Sequence, residues 1–416
     1  MPPATSVSAP VRPLRILMLA PEPFFEPRGT PFSEFHRIKA LGELGHAVDL
    51  VTYPIGRDVE LPNLRIIRSL GLPFVRKVPI GPSAVKLALD GLMLLTIARV
   101  ALTGRYDAIH SHEEMGLVGV WLARLLRIPH LYDMHSSLPQ QLSNFKFSGS
   151  AILRKVFDVA EGQMVGKSDV VITICQELQD TVAAMGHGDR ALLIENVMGG
   201  DVDDAPTLTS AVIRERWGLP ADAPIVLYTG TFEAYQGLEM LIEAAARLAA
   251  THPAVRVLVV GGAPDQVAAA AGTARRLGAT NVVFTGQQPA REIPAFVAAA
   301  AILASPRIRG TNTPLKIYSY LRSGVPIVAT DLLTHTQVLS PAVARLAPPE
   351  PGAFASAIAA LLDDPAAGHA LAEAARALSD ARYSRQVYMA RTAEACRRLA
   401  ERGAGRRPVV AGTAAP

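Results

Sequence analysis

Cysteine is nearly missing from this chain: Cys175 and Cys396 are the only two among 416 residues. That excludes a disulfide framework and a thiolate metal cluster, and a reducing cytosol is the expected compartment. Aromatic residues are scarce at 6%, so alanine and the aliphatic residues must fill most of the cores. Neither sign of charge dominates, since 41 basic residues face 37 acidic ones. The small basic excess excludes a strongly basic nucleic-acid binder and leaves room for weak attraction to anionic surfaces. Long apolar runs are missing too. The best candidate, Val85–Thr103, is interrupted by Lys86, Asp90 and Arg99. Its longest uncharged stretch, Gly91–Ala98, is far below the roughly 18–20 residues a spanning helix needs. Near the start, Met1–Pro13 is rich in Pro, Ser and Ala, and Ile16–Ala20 is too short for the apolar segment of a signal peptide. A chain without a membrane span is the expectation.

Three motifs are absent as well. No G-x-G-x-x-G follows the first strand, which argues against a nicotinamide or flavin dehydrogenase. No G-x-x-x-x-G-K-[ST] loop occurs, which argues against a P-loop NTPase. No serine sits in a G-x-S-x-G elbow, which argues against an α/β-hydrolase.

What remains is a repeated α/β grammar. Leu14–Ala20 (LRILMLA) is a continuous apolar run, as expected of a strand covered on both faces of a parallel sheet. A Pro- and Gly-rich loop follows, then a helical pattern over Ser33–Leu44, then the strand His46–Tyr53. Strands are also expected at Leu64–Arg68, Tyr106–His112, His130–His135, Val170–Ile174 and Ala191–Asn196, with a long helix over Ser83–Thr103. After the acidic, turn-rich segment Gly199–Thr207 the pattern restarts with Ile225–Thr229, Val255–Val260, Asn281–Phe284, Ile302–Ser305 and Pro326–Ala329. At roughly 150 residues per domain the length allows two or three domains. The predicted organisation is a disordered start (1–13), a Rossmann-like domain (14–198), a linker (199–207), a second Rossmann-like domain (208–380), a C-terminal helix (381–402) and a disordered tail (403–416). Two such doubly wound domains would face a crevice at the carboxyl ends of their strands.

The ordered set of segments resembles glycosyltransferase family 4, the retaining GT-B enzymes that use nucleotide sugars, over essentially Leu14–Leu399. PRGTP at Pro27–Pro31 stands as the first-strand loop and HAVDLVT at His46–Thr52 as the second strand. YDAIHSH at Tyr106–His112 is similar to the family's "YDvvHaH", and YDMH at Tyr132–His135 to the strand that ends in its active-site histidine. ENV at Glu195–Val197, the segment Tyr228–Ala244 and the segment Ser305–Thr330 follow in the family's order. Several places depart from it. The family's two glutamates, the second of which clamps the nucleotide ribose, fall on Thr311 and Ser319. Its diphosphate-binding Arg and Lys fall on Thr231 and Gln236.

The resemblance implies that His135 donates to the transferred sugar or carries its backbone carbonyl toward the anomeric centre. His112 and Glu113 are then acceptor-side residues, although strand-end solvation accounts for them equally well. His110 and His112 are two apart on a strand and share a face, but zinc needs a third and usually a fourth ligand, and none stands nearby at metal spacing. No metal is therefore assigned. Gly29 and Thr30 would let backbone N–H groups approach a phosphate. Gly230, Gln236, Asn312 and Ser319 complete the implied donor side. Thr313 and Pro314 form a good helix start, a capping threonine followed by proline at the first helical position. Arg307, Arg309 and Lys316 cluster around that helix end, itself suited to an anion.

The expected protein is a metal-independent transferase with no cofactor. It moves a sugar from a nucleoside diphosphate sugar to a hydroxyl acceptor, such as a glycolipid or polysaccharide precursor, with retention of configuration. Nucleic acid is not an expected partner. Arg76 and Lys77 precede an apolar helix that reads first as a core helix with a polar end; the alternative is an interfacial surface for anionic lipid, which would move the place of action from the cytoplasm at large to the inner face of the cell membrane. The alternatives are a non-catalytic binding protein of the same fold, which the missing Glu, Arg and Lys favour, and a GT-B epimerase.

Overall fold

A computed structural model describes residues 12–25, 29–78, 83–139, 151–196 and 206–405. The chain divides into two compact units, Met1–Glu195 with Tyr388–Pro416, and Asn196–Val387. The division therefore falls three residues before the expected domain end and returns at Tyr388 rather than 381. Most of the expected linker lies outside the described residues.

The first unit carries β1 (Arg15–Ala20), α1 (Gly29–Glu43), β2 (Ala47–Thr52), β3 (Leu64–Arg68), α2 (Ala84–Thr103), β4 (Ala108–His112) and α3 (Met115–Leu126). It continues with β5 (His130–Met134), α4 (Ala151–Lys167), β6 (Val170–Thr173), α5 (Gln176–Ala184) and β7 (Ala191–Leu193). Its sheet has the order β3-β2-β1-β4-β5-β6-β7 and every pairing is parallel. β1 pairs with β2 on one side and β4 on the other, so the strand order reverses between β1 and β4. Crevices for ligands form at such a reversal, outside the carboxyl ends of the strands. Ile16–Ala20 is fully buried, the reason β1 reads as an unbroken apolar run rather than an alternating one.

The second unit contains α6 (Ser210–Arg216), β8 (Ile225–Thr229), α7 (Leu238–Thr251), β9 (Arg256–Val260), α8 (Pro264–Arg276), β10 (Val282–Gly286), α9 (Ile293–Ala298), β11 (Ile302–Ser305) and α10 (Lys316–Ser323). β12 (Ile327–Thr330), α11 (Leu333–Thr336), β13 (Arg345–Ala347), α12 (Pro351–Asp363) and α13 (Pro365–Arg382) complete it. The sheet order is β10-β9-β8-β11-β12-β13, again all parallel, with the reversal between β8 and β11. The last helix, α14 (Arg385–Ala404), packs in the first unit from Tyr388 onward: Arg391 donates to the carbonyl of Leu193 at 3.0 Å and faces Glu195 at 3.5 Å. It runs two residues past the expected helix end, and residues 406–416 are outside the described chain.

Two expected boundaries are corrected. Helix α1 begins at Gly29 rather than Ser33, so Gly29 and Thr30 form its first turn instead of a free loop. Pro27 and Arg28 lie outside the described residues. The other correction concerns Thr313, which does not cap α10: that helix starts at Lys316 with Leu315 before it. Pro314 and Leu315 instead close a tight turn, accepting from the amides of Ile317 at 2.9 Å and Tyr318 at 3.2 Å. The Thr313 hydroxyl is buried and makes no hydrogen bond.

Candidate active site

In the first unit the chemistry gathers where β4 and β5 end. Side chains alternate across a strand, so His110 and His112 fall on one face of β4, and Asp133 and His135 on one face at the end of β5. The register pairs His112 with Asp133, which puts all four on the same face. The His110 and His112 rings stack with centroids 4.6 Å apart. His112 Nδ1 lies 3.1 Å from His135 Nε2, and His110 Nε2 lies 3.3 Å from Asp133 Oδ2. His135 Nε2 is also 3.5 Å from Asp133 Oδ1.

Helix α1 covers this face with two residues one turn apart, Glu34 and Arg37. Arg37 Nε donates to Asp133 Oδ2 at 3.2 Å, both side chains being 1% exposed. Its Nη1 donates to Thr392 Oγ1 of α14 at 3.1 Å, and the Tyr388 ring lies 4.9 Å from the guanidinium carbon. Glu34 Oε1 sits 3.5 Å from His112 Nδ1. Neither Glu34 nor Arg37 is among the site residues expected from sequence. The available signal was a polar pair at i, i+3 within an otherwise core-facing stripe.

Burial sets the protonation of this cluster. Desolvation disfavours charge and holds His112 well below the usual histidine range, with the neighbouring His110 adding to the effect. It also drives the Glu34 carboxyl well above the ordinary value, aided by Glu22, Asp133 and Glu113. Asp133 goes the other way: burial alone would raise it, but Arg37 and the histidines hold it well below the usual carboxylate range. Glu113 stands at φ 46°, in the left-handed region, and Ser136 Oγ donates to its Oε2 at 3.0 Å. Burial raises its carboxyl as well. Its neighbour Glu114 is tied to Lys86 at 2.5 Å. The absence of a third metal ligand near the two histidines is a further correction. One ligand atom from each of His110, His112 and Asp133 lies within 4.8 Å of the others.

In the second unit the site residues gather at the end of β8. Gly230 has φ 149°, and a Cβ there would meet the Tyr228 hydroxyl at 3.1 Å and Lys316 Nζ at 3.6 Å. A Cβ on Gly261 would collide with the carbonyl of Gly230 at 1.9 Å. Only glycines permit this close approach of β8 and β9 ends. Lys316 Nζ donates to the carbonyl of Thr229 at 3.0 Å and lies 3.9 Å from the Tyr228 ring centre. Burial lowers its proton affinity well below the ordinary lysine value, and the like charge of Arg307 lowers it further. Arg307 donates through Nη1 to the Asn312 carbonyl at 2.7 Å and to Thr334 Oγ1 at 2.8 Å, with Tyr235 stacked 5.1 Å away. Arg309 is exposed. Gln236 Nε2 reaches Thr231 Oγ1 at 3.5 Å. Ser319 donates back to the Lys316 carbonyl at 2.8 Å, inside its own helix. Gly230, Arg307, Asn312 and Lys316 thus come together, while Ser319 is spent on its own backbone.

Family models match both units: "Glycosyl transferase 4-like domain" over residues 36–196 and "Glycosyl transferases group 1" over residues 210–378. The chain belongs to glycosyltransferase family 4. It is a glycosyltransferase. Among curated relatives it is 25% identical to the phosphatidyl-myo-inositol mannosyltransferase of Mycobacterium leprae, over 84% of this chain and 87% of that one. It is 30% identical to D-inositol 3-phosphate glycosyltransferase 2 of Catenulispora acidiphila, over 65% of each. Among solved structures, sucrose-phosphate synthase of Thermosynechococcus elongatus superposes with a TM-score of 0.74 at 21% identity, over 92% of this chain and 99% of that one. HepE of Anabaena in complex with UDP-glucose gives 0.69 at 19% identity, over 94% and 100%. These likenesses establish the GT-B fold for this family 4 chain. No helix among the described residues is long and apolar enough to cross a membrane.

Proposed function

We propose that this family 4 glycosyltransferase takes a nucleoside diphosphate sugar in its second unit and transfers the sugar, with retention, to a hydroxyl acceptor held by the first. The observation that carries the donor assignment is the Lys316 ammonium. It is desolvated at the carboxyl end of β8 and meets Arg307 rather than a carboxylate. A half-buried ammonium held by the Thr229 carbonyl and the Tyr228 ring, with Arg307 rather than a carboxylate as its neighbouring charge, gains from an anion that completes it. The leaving diphosphate is such an anion. Gly29 and Thr30, in the first turn of α1, offer backbone N–H groups to the same ligand class. His135 acts on the transferred sugar, His112 and Glu113 supply the acceptor side, and the relatives that act on inositol compounds make a polyol hydroxyl the first acceptor class to try. The reaction reading gives no step to a divalent ion.

Lys316→Ala is expected to weaken nucleoside diphosphate binding by about tenfold to a hundredfold, the range of a hydrogen bond to a charged group. The melting temperature of the free protein should stay the same or rise, because a desolvated cation has been removed. Affinity in the wild type should fall as pH rises through the lowered value of Lys316, below the ordinary lysine range, since the anion binds the protonated form. Titration calorimetry over a pH series checks both. Unchanged affinity in the variant would remove Lys316 from the donor site.

We infer further that the acceptor can be lipid-borne. Helix α2 is apolar on both sides: Leu89, Met93, Ile97 and Val100 are buried, while Leu87, Leu94, Leu95 and Leu102 form an exposed stripe at helical spacing. Arg99 on that helix and Phe74, Arg76 and Lys77 before it are exposed as well. An apolar stripe beside basic residues suits an anionic lipid surface, at about 1 kcal/mol per cation. Co-sedimentation should place the protein on vesicles containing phosphatidylglycerol and not on pure phosphatidylcholine. The double variant L95E/L102E should lose that binding, and equal binding to both vesicle types would refute the surface.

A further inference from the structure

We propose that the histidine cluster of the first unit is a binding site for a divalent transition ion of the zinc class, with His110, His112 and Asp133 as its ligands and His135 at its edge. The argument starts from strand geometry. The H-x-H of β4 and the D-x-H that ends β5 lie on one face in register, which brings three imidazoles and one carboxylate together from two short motifs. Ligands about 2.0–2.1 Å from a common ion lie roughly 3.3 Å from one another in a four-coordinate site. Within the group His110 Nε2 and Asp133 Oδ2 are 3.3 Å apart, and His135 Nε2 lies at its edge, 3.1 Å from His112 Nδ1. One atom from each of His110, His112 and Asp133 falls within 4.8 Å of the others.

A second observation points to a ligand independently. Asp133 is 1% exposed, and although Arg37 and His110 engage its Oδ2, its Oδ1 makes no hydrogen bond. A buried carboxylate oxygen without a donor is costly, and it is aimed at the His135 side of the cluster. Two imidazole nitrogens beside one oxygen select zinc, nickel or cobalt over the oxygen-seeking magnesium and calcium.

An ion here engages His112 and Asp133, the two groups that His135 contacts at 3.1 Å and 3.5 Å. On the function proposed above, it therefore inhibits transfer and is not required for it. Cobalt titration of the metal-stripped full chain tests the site by itself. Visible ligand-field bands should saturate at one equivalent and be displaced by zinc. Loss of an outer-shell partner alone typically costs about 10–100-fold in metal affinity. His110→Ala and His112→Ala should each cost at least that much, with His252→Ala as an unaffected control because it lies in the other unit. Absence of bands in the wild type, or bands that survive in both cluster variants, would overturn the site. A turnover assay on the same samples keeps the two readings apart. Metal-free protein should be active and one equivalent of zinc should suppress it. Failure of metal-free protein to turn over would count against the transferase mechanism while leaving the cobalt result standing.

Discussion

Replacing His135 by alanine is expected to lower turnover by about 10²–10³-fold while nucleoside diphosphate binding stays unchanged. The magnitude is that of removing one preorganised donor from a site where charge develops in the transition state, about 2.7–4 kcal/mol. The separation of effects follows from position. His135 directly follows β5 in the first unit, whereas Gly230, Arg307 and Lys316 belong to the second. Folding should suffer little. His135 comes after the last residue of its strand, and its ring contacts are polar ones, with His112 at 3.1 Å and Asp133 at 3.5 Å. Steady-state kinetics beside a thermal melt of the variant reads both quantities. Wild-type turnover would remove His135 from the reaction.

The largest expected effect on stability lies one contact further in. Arg37→Ala strands Asp133, buried to 1% exposure, without its chief cation. Breaking a buried pair by deleting one partner typically costs about 3–5 kcal/mol. For a unit of this size that corresponds to a melting shift on the order of 10 °C. The sign of the pH dependence is distinctive. In the wild type, the depressed Asp133 contributes stability above the ordinary carboxylate range, and that contribution is lost only as pH falls through its lowered value. Without Arg37, burial dominates and pushes the carboxyl up, so the variant should lose further stability as pH rises through the raised value. The paired variant R37M/D133N removes both charges together and should recover much of the loss. Calorimetric melts at mildly acidic and neutral pH decide it: a single variant as stable as wild type at neutral pH would contradict the ion-pair account.

Arg37 also explains why the C-terminal helix matters to the site. Its guanidinium is held between Asp133 on the sheet side and Thr392 and Tyr388 on α14. The end of the chain thus clamps the residue that orients Asp133, which in turn faces both His110 and His135. The sequence ranges of the two sheets were legible because buried parallel strands are unbroken apolar runs bounded by Gly and polar residues. The elements missing from that reading lack such a signal. Helix α8 is alanine-rich with only Ala274 buried, and β13 is three residues long. The site was half legible. His110 and His112 share a face by simple alternation, and their two-residue spacing says so. That Asp133 joins them depends on the register of β4 against β5, and that Glu34 and Arg37 cover them depends on how α1 packs. Neither is written in local spacing. The placement of Thr313 failed for a related reason. Threonine before proline is a sound capping signal, but the tight turn at Pro314–Leu315 moved the first helical residue to Lys316.

The central claim is that this chain breaks the bond between a sugar and a nucleoside diphosphate and does so through His135. The most direct measurement is release of nucleoside diphosphate from a panel of nucleoside diphosphate sugars, with and without a polyol or lipid acceptor, by wild type and His135→Ala side by side. The account predicts release from at least one donor, faster with acceptor present, and slower by at least about 10²-fold in the variant. Release that is equal in the two proteins, or no release above the enzyme-free blank from any donor, would contradict it.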